Sequence, residues 1–101
     1  MFVEDETEVR EERKEDVLKL SGDVDIHHLE AFHNALKERY PLERDLVLDC
    51  TDLVQMDTAG IQLLLAFKKS LPPGRRLTVR NLSSYLEEAL DMMGVKQVLL
   101  R

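Results

Sequence analysis

The sequence has one cysteine, Cys50, so no disulfide can form within the chain. It has no apolar run close to the roughly 20 residues that a membrane-spanning helix needs. Residues 1–12 are acidic and lack the basic-then-apolar pattern of a secretory signal. These absences together predict a cytoplasmic protein with no direct membrane insertion. No glycine-rich phosphate loop is present. Pro72-Pro73-Gly74-Arg75-Arg76 lacks the Gly-Lys-Ser/Thr ending that such a loop requires. There is no internal repeat and no low-complexity linker.

The chain has 101 residues, 44% of them hydrophobic, which suits one globular domain with a modest core. The net charge is −6 and it is unevenly placed. Residues 1–16 carry eight acids against Arg10, Arg13 and Lys14, whereas the other 85 residues carry twelve acids and eleven bases. An acidic leader or weak first strand over 1–15 therefore precedes a nearly neutral domain over 16–101. Repulsion of phosphate backbones excludes nucleic acid as the expected partner.

Taken in order, residues 7–11 suit a weak, charged edge strand, with a turn near 14–16, and equally a frayed helix or a tail. Residues 17–20 read as a strand that Ser21-Gly22-Asp23 ends. Asp25 is placed to cap a helix over 26–40 with Leu29, Phe32, Ala35, Leu36 and Tyr40 on its inner face. Pro41 cannot continue that helix. Leu46-Val47-Leu48 is apolar without alternation, as a buried central strand is. Residues 51–56 read as a loop with Leu53, Val54 and Met56 turned inward.

Asp57 then caps a helix over 58–70 that is apolar on nearly every side, and Pro72 and Pro73 stop it. Residues 77–80 form a strand. Ser83 or Ser84 caps a third helix, with Ser84 and Glu87 spaced as a capping box and Gly94 as its stop. Residues 95–100 read as a last strand. Alternating strands and helices predict an α/β fold: a mostly parallel or mixed sheet of four to five strands with three to four helices packed on it.

Several constellations are weighed and set aside. His27, His28 and His33 are badly spaced for one metal, since neighbours on a helix point about 100° apart. Cys50 follows a central strand and reads as a small core residue. Asp49, Asp52 and Asp57 are close in sequence, which is the basis of a minor alternative: a phosphoryl-transfer or nucleotide-binding enzyme using Mg²⁺. Without a phosphate loop or a base beside a nucleophile, no catalytic residue, cofactor or metal is assigned. Arg75, Arg76 and Arg80 need no role beyond balancing the acids.

What remains is Asp57-Thr58-Ala59-Gly60, small residues opening an over-apolar helix. Small side chains at a helix start leave room for another protein's backbone to approach. A phosphate on Thr58 adds about two negative charges where the helix tolerates anions, so the fold survives while an interface there changes its charge.

Three stretches resemble the STAS family, the sulfate-transporter and anti-sigma-factor-antagonist fold. They are Leu20-Ser21-Gly22-Asp23-Val24-Asp25; Leu46-Val47-Leu48-Asp49 with Val54-Gln55-Met56-Asp57-Thr58-Ala59-Gly60; and Leu82-Ser83 through Gly94-Val95. The resemblance implies a non-enzymatic binding module whose partner is an anti-sigma factor that is also a serine kinase. It implies contact through Gly22, Asp23, Asp25, Asp57, Thr58, Ala59, Gly60 and Ile61. In the family motif Asp-Ser-Ser-Gly the second serine takes a phosphate. Ala59 stands at that place and has no hydroxyl, so two outcomes are open: Thr58 takes the phosphate, or the domain is an unswitched binder. Asp-Thr-small-Gly is also the pattern of STAS subunits in lipid-transport ABC systems, which implies an ABC ATPase as the alternative partner.

Overall fold

In a computed structural model, residues 1–5, 8–9, 14–38 and 44–99 are described. Five strands form one sheet: β1 (Phe2–Asp5), β2 (Glu8–Val9), β3 (Lys14–Val24), β4 (Asp45–Met56) and β5 (Leu77–Arg80). The order across the sheet is β1-β3-β4-β5, with β2 paired to the start of β3. β1 and β2 run antiparallel to β3, while β3, β4 and β5 run parallel. The helices are α1 (Leu29–Lys37), α2 (Thr58–Lys69), α3 (Ser84–Met92) and α4 (Lys96–Leu99), and a 3-10 turn, Ile26–His28, precedes α1. This is the mixed α/β sheet that the alternation of patterns predicts.

One core joins the layers. Leu18 and Leu20 of β3, Leu46, Leu48 and Cys50 of β4, and Leu77 of β5 are buried in one cluster with Phe32, Leu36, Ile61, Leu64, Leu86, Leu90 and Leu99 of the helices. Strand side chains alternate between faces, so a single shared cluster places all four helices on one face of the sheet. Val17 and Val47, paired in register, are buried outside that cluster on the alternate positions.

Four expectations are corrected. Residues 51–56 are not a loop, because β4 runs on through Met56. Opposite β3, Lys19 pairs with Asp49 but Ser21 with Asp52, and Gly22 with Leu53 but Asp23 with Gln55. Each shift adds one residue to β4, as a β-bulge does. The inward positions Leu46, Leu48, Cys50, Leu53 and Met56 are therefore spaced by two, two, three and three, which hides the strand from any period-2 reading. Likewise β3 extends across 14–16 and 21–23, with Gly22 at φ 76 in its second irregular stretch.

Residues 96–99 form a helix rather than a strand. Gly94 at φ 74 closes α3 with bonds from Gly94 N–H to the Asp91 carbonyl and from Val95 N–H to the Leu90 carbonyl. That is a Schellman turn, and it starts the chain back over the core. Val95 and Leu99, four apart, then pack inward. Lys68 Nζ donates to the Leu99 carbonyl at 2.9 Å and fixes α4 against α2. Finally, the cap of α3 is Ser83, whose hydroxyl accepts from Leu86 N–H at 3.2 Å, and Glu87 pairs with Lys96 at 3.1 Å instead of closing a box with Ser84. The predicted end of the first helix at Tyr40 and Pro41 lies outside the described residues, as do residues 7, 10 and 11 of the predicted first strand.

Candidate docking site

β3 and β4 end side by side, with Val24 and Met56 as their last pair. The residue after each strand is an aspartate in extended conformation that caps the next element. Asp25 Oδ1 accepts from His27 N–H at 2.9 Å, and Asp57 Oδ1 accepts from Gly60 N–H at 3.1 Å. Asp57 N–H donates to the Val24 carbonyl at 3.0 Å, which ties one handover to the other. A strand thus passes into a helix with no loop between, twice, at neighbouring places. The two sequence-predicted segments, 22–25 and 57–61, are brought together at this edge.

The residues divide by burial. Thr58 is exposed and Ala59 is half-buried. Asp23 is exposed, and Gly22, Asp25 and Asp57 are half-buried. Gly60 and Ile61 are buried, and this changes their part. A Cβ on Gly60 would lie 2.9 Å from Met56 Cγ and 3.2 Å from Val24 Cγ1. Gly60 therefore lets α2 settle on its own sheet, and Ile61 anchors it there. Direct access for another protein falls to Thr58 and Ala59.

Two large apolar residues of this edge are exposed. Ile26 is 68% exposed and Val54 is 65% exposed. Val54 was expected to turn inward beside Leu53, but it occupies the extra position of the second bulge, between Leu53 and Gln55, and points to solvent. Finding it needed the bulge itself.

The carboxylates are held in different ways. Partial desolvation acts to raise the Asp25 pKa, but the His27 N–H bond and the nearby His28 and His27 rings outweigh it, so the carboxyl sits below its usual value. His28 Nδ1 lies 2.9 Å from Asp25 Oδ1. Asp49 is also lowered: desolvation opposes, while the Thr51 hydroxyl, the Asn81 amide, the Thr51 N–H and the Arg80 charge together prevail. Asp49 Oδ1 accepts from Thr51 Oγ1 at 2.6 Å and from Asn81 Nδ2 at 3.1 Å. Asp52 pairs with Lys19 at 3.0 Å.

Asp49, Asp52 and Asp57 are therefore engaged separately. Asp49 and Asp57 stand eight positions apart along an extended strand, on the order of 20 Å. They do not share a site for Mg²⁺. Among the described residues no group of three or more His, Cys, Asp or Glu is placed to hold a metal ion. Burial pushes the Cys50 thiol up to about 12, aided by the Asp49 charge, so Cys50 is a core residue without thiolate character. No helix among the described residues is long and apolar enough to cross a membrane.

A family model described as "Mlab, STAS domain" matches residues 7–101. No curated protein matches the sequence. Among solved structures the chain is similar to the anti-sigma factor antagonist SpoIIAA in its unphosphorylated form, with a TM-score of 0.76 and 18% identity over 99% of this chain and 86% of that one. It is similar also to an anti-sigma factor antagonist from Mycobacterium paratuberculosis, with a TM-score of 0.72 and 17% identity over 97% and 83%. At these identities the likeness to the solved structures is one of fold.

Proposed function

The chain belongs to the STAS domain family, and from that premise we propose a non-enzymatic regulatory module that binds a protein partner through the edge around Asp57. The partner is an anti-sigma factor kinase or a related signalling ATPase, and the setting is the cytoplasm. One observation carries this reading. Thr58 is exposed and Ala59 half-buried at the start of a capped helix that is locked to a second helix start. Such a surface is held by its cap and by a backbone bond to the neighbouring strand before anything binds, which lowers the ordering cost of association. Thr58 and Ala59 are also small enough to admit a partner's backbone.

Ala59 cannot accept a phosphate, and Thr58 holds the one hydroxyl between Asp57 and Gly60. A kinase acting on this turn modifies Thr58. The phosphate dianion then sits at a helix N-terminus, where the peptide dipoles favour it, and its bulk closes the approach.

The test is capture of the partner by the immobilised chain. Ala59→Arg reduces capture at least about tenfold, since a long side chain at the centre of a close contact costs more than 1.4 kcal/mol. Its melting temperature stays near that of the wild type, because Ala59 is outside the core cluster and is only half-buried. Equal capture by both proteins overturns the surface. Incubation with the partner kinase and labelled ATP marks Thr58; label on Ser83 or Ser84 shows that another turn is the substrate.

The second reading is a STAS subunit that binds the ATPase of a lipid-transport ABC system. Thr58 with no serine at position 59 supports it. Mass spectrometry of the captured protein separates the two, since a histidine-kinase-like ATPase fits the first and a transporter ATPase the second.

A further inference from the structure

Ile26 and Val54 are two of the large apolar side chains left exposed, and both flank the strand ends where Asp25 and Asp57 cap the helices. The two segments that carry this pair hold acids and no lysine or arginine. From residue 20 to 36 and from 53 to 67 there is no lysine or arginine, while Asp23, Asp25, Glu30 and Asp57 are present. The basic groups near these acids are His27 and His28 on the 3-10 turn, His33 three residues after Glu30, and the Met1 amino group beside Gly22. His28 Nδ1 already stands 2.9 Å from Asp25 Oδ1. We propose that this edge receives a protein surface that is apolar at its centre and basic at its rim.

The inference rests on the docking reading above and adds the partner's chemistry. An exposed Val and Ile lose water to an apolar patch with gain proportional to the area covered. Asp23, Asp25 and Asp57 at the two strand ends reject an acidic rim and favour lysine or arginine. Each exposed charge pair is worth little in water and is screened by salt, so the charge preference is a few-fold effect and bulk at Ala59 dominates it.

Heteronuclear NMR on the ¹⁵N-labelled full chain tests this with a capped leucine–lysine peptide and its leucine–glutamate counterpart. At about pH 8 the lysine peptide shifts the amides of residues 23–28 and 54–59, and the glutamate peptide does not. The Asp23→Asn/Asp25→Asn double variant binds the lysine peptide about threefold more weakly. Shifts confined to other acidic surfaces, equal response to both peptides, or unchanged affinity in the double variant overturns the inference.

A second pair works with the captured partner itself. Thr58→Lys and Thr58→Glu add similar bulk with opposite charge, and the lysine variant captures less. Equal capture by the two sinks the charge argument while leaving the docking surface standing. The docking surface fails separately, if Ala59→Arg captures as well as wild type.

Discussion

α2 and α3 begin alike and end up with different surroundings. Each has a capping residue, Asp57 or Ser83, whose side-chain oxygen accepts from the N–H three residues on, at 3.1 and 3.2 Å. Each has an exposed hydroxyl next, Thr58 or Ser84. The third helical position separates them. It is Gly60 in α2, pressed against Met56 and Val24, and Leu86 in α3, which fills the space beneath. α2 leaves β4 without a loop and is bonded to the neighbouring strand end. α3 follows a bend at Asn81, whose φ is 62. What sets α2 apart is a strand-to-helix edge bonded to the neighbouring strand end, and the proposed docking rests on that difference.

The largest expected effects probe that third position. Leu86→Ala removes a buried side chain and costs about 2–5 kcal/mol in chemical denaturation. Gly60→Val puts atoms where Met56 and Val24 already are and costs about 1–3 kcal/mol. If Gly60→Val is neutral, the close seat of α2 on the sheet is not real. The caps come next. Asp57→Ala and Ser83→Ala each cost about 1 kcal/mol, with Asp57 the greater because a carboxylate also meets the helix dipole.

Smaller still is the acid limb from Asp49, which accepts from Asn81 and so steadies the bend before α3. Its folded pKa is lowered, so its contribution is present above the ordinary carboxylate value and is lost as pH falls through the folded one. Asp49→Asn flattens the stability profile below about pH 4, by less than about 1 kcal/mol because the group is partly solvated. Cys50 acts in the opposite range. Its folded thiol is raised to about 12, so stability is intact below the ordinary thiol value and declines as pH rises from about 8.5 towards 12. Thiol reagents at neutral pH label only the unfolded chain.

Periodicity and capping made the main elements legible. Asp25, Asp57 and Gly94 announce their turns because each performs one local bond that its residue type suits. Phe32 and Leu36 fall on the inner face of α1 as their spacing predicts. The bulges in β4 were not legible, because an inserted residue changes the period without leaving a mark in composition. That one event turned a long strand into an apparent loop and hid the outward Val54. The last helix was misread for a related reason. Four residues are too few for periodicity to separate helix from strand, and the Lys68–Leu99 bond that holds α4 is a tertiary contact. Around Asp57, residue identity did not show the burial that separates Thr58 and Ala59 from Gly60 and Ile61.

Ala59 and Tyr85 hold the same position, second in α2 and in α3, so one paired experiment reaches the central claim. Ala59→Arg and Tyr85→Arg are compared for capture of the partner, with melting temperatures recorded alongside. The account predicts that Ala59→Arg loses capture and keeps its stability, while Tyr85→Arg captures as wild type does. Loss with Tyr85→Arg and retention with Ala59→Arg would contradict it.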